Sequence, residues 1–178
     1  LNESEIVDIA VSSQRKCGCT ITGSLDDTWA SISSGWKLVD PKKSASESII
    51  SEGKIEEEMI IFLILRGSRT NIIEINNFKE QSRIFERALD SILNDSIFQA
   101  ISTNGMAVAA ATEDDEAVRI CNKLIANGAI AAGITGSGPA ISVVSFIQDS
   151  ETIRKVLYNS GYETIETNFI DNNSLELI

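Results

Sequence analysis

The chain contains no histidine. That absence removes Ser-His-Asp and Cys-His nucleophile systems, so any general base must be a carboxylate or a lysine. Cysteine is scarce: Cys17, Cys19 and Cys121 form no framework of pairs, and an isolated Cys-x-Cys is two ligands short of a structural zinc site. No metal site is expected from these residues, and the usage fits a reduced, cytoplasmic setting. Positive charge is also short, with 15 Lys+Arg against 26 Asp+Glu and a formal net charge of -11. Such a field repels a phosphate backbone, so no nucleic-acid partner is expected, and an anionic substrate must be recruited by local groups. Long hydrophobic runs are missing. The longest, Met59 to Leu65, falls well below the roughly 20 residues a membrane helix needs and reads as a buried strand. No membrane partner is expected. The chain starts at Leu1 without a methionine, a basic n-region or an apolar h-region, which leads to the expectation of a truncated or processed chain.

What remains is ordinary globular material, 43% hydrophobic and 23% charged over 178 residues, enough for one domain or a domain preceded by part of another. Apolar spacing predicts a helix from Glu3 to Gln14, a short helix opening after Thr22-Gly23-Ser24 and running to Ile32, and a strand from Trp36 to Asp40. Residues 42–57, rich in Ser, Lys and Glu, read as an exposed connection. Met59 to Leu65 is the strongest strand. Helices are predicted over Phe78–Leu93, Ser96–Ala111 and Asp114–Ala126, then a Gly-rich turn, a strand from Ala140 to Phe146, a helix from Glu151 to Ser160 and a strand from Tyr162 to Phe169. The order implies an α+β domain, a ferredoxin-like sheet with helices on one face, and a frayed tail after Asp171.

Two segments could carry chemistry. In Gly133-Ile134-Thr135-Gly136-Ser137-Gly138-Pro139, glycines alternate with small hydroxyl residues. Successive amides there could form a nest for a phosphate or carboxylate, with Thr135 and Ser137 as further donors; the same composition also serves a tight connection. No Gly-Lys-Ser/Thr ending is present, so the segment is not a Walker A loop. In Thr22-Gly23-Ser24-Leu25-Asp26-Asp27, two carboxylates fall in a first helical turn. With Ser24 as cap, Asp27 would close a capping box, whereas Asp26 is free to face a site. A carboxylate at such a position is a weak proton acceptor, suited to orienting a hydroxyl and taking its proton late in a phosphoryl transfer. Arg66, Arg69 and Lys37 are further candidates, the arginines as clamps for a carboxylate or simply as solvated loop residues. Asn104-Gly105, two poor helix formers inside a helix, marks either close packing or a side chain aimed at a ligand. Trp29 and Trp36 read as core.

Taken in order, these segments resemble the carboxyl-terminal part of the GHMP kinases, the family of galactokinase, homoserine kinase and mevalonate kinase. Gly133 to Ala140 is similar to the family's Gly-rich third motif, and Leu25-Asp26-Asp27-Thr28-Trp29-Ala30-Ser31 to its catalytic-Asp segment, with Asp27 where a Gln usually stands. Thr20 to Asp27, Ser34-Gly35-Trp36, Asn104-Gly105 and Gly128 to Gly133 resemble the archaeal shikimate kinase branch. The resemblance implies a domain remnant over residues 1–57 and the GHMP carboxyl-terminal domain over 58–178. It implies MgATP-dependent phosphorylation of the 3-hydroxyl of shikimate, in chorismate and aromatic amino-acid biosynthesis, with ATP and Mg2+ as cofactors. By the same resemblance Asp26 handles the hydroxyl, while Asp27, Arg66, Arg69 and Asn104 are candidates to bind substrate. Gly133, Thr135, Gly136, Ser137 and Gly138 would shape the phosphate and substrate loop. The family's ATP-wrapping second motif would precede residue 1, so this chain is expected to be inactive as an isolated fragment. Another GHMP kinase, acting on homoserine or a mevalonate-pathway substrate, or a non-catalytic ferredoxin-like binding domain, remain the alternatives.

Overall fold

A computed structural model describes residues 1–20, 23, 25–55, 58–68 and 73–169. The chain divides into two compact units, residues 1–56 with the chain end, and residues 57–168.

In the first unit, helix α1 (Glu3–Cys17) begins with a capping box. The Asn2 side chain accepts from the Glu5 amide at 2.9 Å and the Glu5 carboxylate from the Asn2 amide at 2.9 Å. Glu3 and Glu5 oppose the positive end of the helix dipole, Arg15 and Lys16 the negative end, and Gly18, left-handed at φ 67°, ends the helix. Those terminal residues carry it three residues beyond Gln14. Helix α2 (Asp26–Ile32) follows, then strand β1 (Trp36–Val39), a one-turn helix α3 (Ala45–Ser48) and strand β2 (Ile49–Gly53), antiparallel to β1.

The exposed connection expected over residues 42–57 is therefore corrected: it contains a helix and a strand. Its polar residues are tied down by specific bonds. Asp8 Oδ1 accepts from the Ala45 amide at 2.9 Å, and Ser48, fully buried, donates to Ala45 O and receives the Trp29 indole N–H at 3.4 Å. Burying Ser48 is tolerated because its hydroxyl is satisfied twice. Val7, Val11, Leu25, Trp29 and Ala45 make the core of this unit.

The second unit is built on strand β3 (Met59–Leu65). Helices α4 (Ile75–Glu80), α5 (Ser82–Leu93), α6 (Ile97–Ala111) and α7 (Asp115–Ala126) follow, then strands β4 (Ala131–Ile134) and β5 (Ile141–Phe146), helix α8 (Ser150–Tyr158) and strand β6 (Glu163–Thr167). The sheet order is β4-β5-β3-β6 with every neighbouring pair antiparallel, which is the ferredoxin-like connectivity with a helical cluster in its first crossover. The single helix expected over Phe78–Leu93 is broken at Gln81 into α4 and α5. Alternation along β3 puts Ile60, Phe62 and Ile64 into a core shared with Ile141 and Val143 of β5, Leu124 of α7 and Ile153 and Leu157 of α8. Each such fully buried side chain contributes about 1.5–3 kcal/mol.

The outer strand β4 was not expected, because Ala129 to Gly133 reads as a small-residue lead into a turn. Its small residues are what allow α6 to lie against it. A Cβ added at Gly105 would collide with Gly133 Cα and stand 2.9 Å from Ile134 N. The Ala132 amide, pointing out from the sheet edge, donates to Ser102 Oγ of α6 at 3.2 Å. The helix thus covers an edge that would otherwise expose an unpaired donor.

Candidate functional site

Each unit carries a cleft lined by residues singled out from the sequence. In the first, Leu25 anchors the start of α2: it is 2% exposed, takes the N-cap position and makes no side-chain cap bond. The helix therefore starts one residue later than the Ser24 cap implied, and Asp26 and Asp27 occupy its first two positions; the capping box expected between Ser24 and Asp27 falls on a residue outside the described ones. The preceding loop is held by Arg15, whose Nη2 donates to Gly23 O at 2.5 Å and to Pro41 O at 3.5 Å.

Asp26 and Asp27 line a cleft of about 210 Å³ with Ala30, Ser33, Gly35, Trp36 and Lys37. Among the described residues neither aspartate takes part in an ion pair. Partial burial and then the charge of Asp26 push the Asp27 carboxyl above the usual carboxylate range, the reverse of what the helix dipole alone would do. Lys37 enters from β1. Its side chain is 14% exposed, its Nζ lies 3.0 Å from Glu52 on β2 and 5.8 Å from the Trp29 ring centroid. Lys37 and Glu52 are direct cross-strand partners, so pairing in the small sheet sets the lysine head.

In the second unit the Gly-rich segment is a hairpin connection. Gly133 is a buried strand residue against Gly105, so close packing accounts for the glycine; Asn104 itself is exposed on α6. The Thr135 amide donates to Ala140 O at 2.9 Å and the Gly138 amide to Thr135 O at 2.9 Å, while the Thr135 hydroxyl also reaches Ala140 O at 3.4 Å. These donors close the turn, so an anion nest cannot use them in this conformation. Gly136 and Gly138 both have positive φ, at 52° and 81°, as the turn requires.

Ser137 and Gly138 line a second cleft of about 380 Å³ together with Arg66 and residues Glu113 to Glu116. Arg66 is expected from the sequence to clamp a substrate carboxylate, but its donors go to the protein. Nη1 bonds Asp114 Oδ2 at 2.7 Å and Pro139 O at 3.2 Å; Nη2 bonds Asp114 Oδ1 at 2.9 Å and Glu116 Oε2 at 2.7 Å. Its Nε is buried without a partner among the described residues. A substrate carboxylate would have to displace Asp114, within a cleft lined by four acidic residues and one arginine. The Arg66 hydrogen bond holds the Asp114 carboxyl below its usual range, and a 2.5 Å bond from the Tyr162 hydroxyl, followed by Arg66, does the same for Glu116. Arg69 lies outside the described residues.

The residues that sequence reasoning missed are Asp114, Glu116, Tyr162 and Glu52. Asp114 carried a signal: it stands before a helix, and its side chain accepts from the Ala117 amide at 2.9 Å as an N-cap. The other three are long-range partners with no local mark.

No family profile matches the chain. It is 26% identical over 178 residues to the shikimate kinase of Methanobrevibacter smithii, covering all of this chain and 60% of the relative, and 26% identical over 155 residues to that of Aeropyrum pernix, covering 87% and 54%. The chain is thus similar to archaeal shikimate kinases. It spans about 50–60% of the length of the curated relatives it matches. Among solved structures, a mevalonate kinase superposes with a TM-score of 0.68 at 13% identity, over 97% of this chain and 58% of that one. The homoserine kinase of Cytophaga hutchinsonii gives 0.59 at 12% identity, over 98% and 60%. At such identities the superpositions speak to the fold alone, an α+β fold that this chain shares with those kinases.

Proposed function

We propose that this chain carries the acceptor side of a small-molecule kinase that phosphorylates the 3-hydroxyl of shikimate at the expense of MgATP. The observation that carries the reading is the match to shikimate kinases along the whole chain, joined to a cleft lined by a lysine and by two carboxylates that have no ion partner among the described residues. Asp26 orients the acceptor hydroxyl and receives its proton as the bond to phosphorus forms. Asp27 lies beside it in the lining of the same cleft. In the second unit Arg66 ties down the end of the Gly133 to Gly138 hairpin through Pro139 O.

Mg2+ ordinarily takes one or two carboxylates from a protein, the rest of its octahedron being water and phosphate oxygens, so Asp27 would be the residue of this cleft to hold that ion, leaving Asp26 for the hydroxyl. When bound it would neutralise charge on the phosphates. The described residues do not by themselves make a triphosphate cradle, since the Thr135 and Gly138 amides are spent within the hairpin. No helix among the described residues is long and apolar enough to cross a membrane, and we place the activity in the cytoplasm with aromatic amino-acid biosynthesis.

The test uses protein expressed from its own reading frame, in a coupled assay of ADP release with shikimate, homoserine and mevalonate. Shikimate should be the preferred acceptor. Asp26→Asn should lower kcat by about 10²–10⁴, the usual weight of a positioned proton acceptor, with unchanged circular dichroism because Asp26 is exposed. Preference for either other acceptor overturns the substrate assignment, and full turnover by Asp26→Asn overturns the site.

A further inference from the structure

We propose that Arg15 is a positioning residue for the cleft of the first unit: it ties the loop that leads into Asp26 to the segment that follows β1, and bears on the reaction through the placement of Asp26. The inference rests on the kinase reading for what that placement is worth, while the tie itself is read from the geometry. Arg15 stands in the last turn of α1, and one nitrogen, Nη2, donates both to Gly23 O at 2.5 Å and to Pro41 O at 3.5 Å. Gly23 precedes Asp26 and Asp27 on one side of the cleft, and Pro41 follows the strand that supplies Trp36 and Lys37 to the other. A single guanidinium thus connects the chain on both sides of the cleft.

The loop is shaped around this side chain. A Cβ added at Gly23 would stand 2.6 Å from Arg15 Nε and 3.3 Å from its Cγ, and Gly23 holds the left-handed φ of 64°. The Gly23 amide is fixed separately, donating to Thr20 Oγ1 at 2.9 Å, so both polar groups of this buried residue are held. Asp8, two turns before Arg15 on the same side of α1, accepts from the Ala45 amide at 2.9 Å. Helix α1 therefore grips the segment after β1 at two points, Pro41 and Ala45, and only Arg15 extends that grip to the loop before α2.

Arg15 is also spent differently from the other arginines of known partners. Arg66 and Arg154 are captured by carboxylates, whereas Arg15, in a chain with 26 acidic residues, enters no ion pair among the described residues and gives its bonds to two carbonyls. Helix α2 has seven residues and no side-chain cap bond, so nothing in its own first turn substitutes for the tie. Asp26 has to meet an acceptor hydroxyl within hydrogen-bond reach, and misplacing a reacting group by about 1 Å can cost about 10²-fold in rate.

The test uses protein expressed from its own reading frame and two readouts. Amide exchange reports the tie: Arg15→Met, which keeps the apolar stem, should speed exchange of the Gly23 and Trp29 amides about tenfold, the weight of one hydrogen bond from a charged donor. Turnover reports the role: kcat should fall about tenfold with KM for shikimate and nucleotide within about twofold, and Arg15→Lys, which can still reach a carbonyl, should recover part of the loss. In an Asp26→Asn background Arg15→Met should lower kcat no further, because the two act as one unit. Arg15 is exposed, so these variants should keep the wild-type circular dichroism. Unchanged exchange at Gly23 and Trp29 overturns the proposal whatever the turnover. Unchanged kcat, a loss confined to KM, or an equal further loss in the Asp26→Asn background overturns it as well. Full turnover by Asp26→Asn alone refutes the site assigned to Asp26, and the exchange readout then decides the tie by itself.

Discussion

Substituting alanine for Gly105 tests how the second unit is assembled. The added methyl would overlap Gly133 Cα and lie 2.9 Å from Ile134 N and 3.1 Å from Gly133 C, all backbone atoms of β4. Comfortable carbon contacts lie near 3.5–4.0 Å, so α6 has to retreat from β4 by roughly 1 Å. That retreat loosens the Ala132–Ser102 bond, at 3.2 Å in the native chain, and opens the packing of the buried Ala107 and Val108 beyond it. Overpacking of this kind costs about 1–3 kcal/mol, and loss of the edge bond adds about 1 kcal/mol. Alanine returns about 1 kcal/mol through its better helix propensity. The expected net loss is about 1–3 kcal/mol, read as a lower urea midpoint at unchanged slope. Asn104→Ala, one residue away on an exposed position, is the control and should be neutral or slightly stabilising. Gly105→Ala as stable as wild type would show that the helix–strand contact is slack and that the glycine pair has some other purpose.

Two further outcomes follow from the Arg66 cluster and the thiols. Asp114 and Glu116 are held below their usual range in the folded protein, so their contribution is complete above the ordinary carboxylate values and fades as pH falls below about 4. Arg66→Met should therefore cost near the low end of a broken buried pair, about 3 kcal/mol, at pH 7 and much less at pH 3; a gap in urea midpoint that does not shrink with acid would refute the linkage. Burial raises the Cys121 thiol to about 11, whereas Cys17 and Cys19 are exposed. A reduced native sample at pH 8 should take up two equivalents of iodoacetamide by mass and a third only in urea.

The sequence made the large elements readable where one periodicity dominates, as along Met59–Leu65 and the helices that became α6 and α7. It failed where polar or small residues do structural work through distant partners. Ser48 looks like a linker residue until the Trp29 indole and Ala45 carbonyl are seen to satisfy it. Gly133 looks like a loop residue because nothing local says that a helix 28 positions earlier in the chain, at Gly105, occupies the space its side chain would need. Gln81 breaks a helix that continuous apolar spacing predicted as one.

The candidate site divides along the same line, for an electrostatic reason. Asp26 and Asp27 were legible because adjacent carboxylates in a first turn are a local oddity, and the structure leaves them without ion partners among the described residues. Arg66 was legible only as a charge near a loop, and a charge says nothing of what neutralises it. In a chain with 26 acidic and 15 basic side chains, the default fate of a guanidinium in a partly buried position is capture by carboxylates from elsewhere in the fold, here Asp114 and Glu116, 48 and 50 positions away. Lys37 meets the same fate in the first unit, where its Nζ lies 3.0 Å from the Glu52 carboxylate across the strand pair.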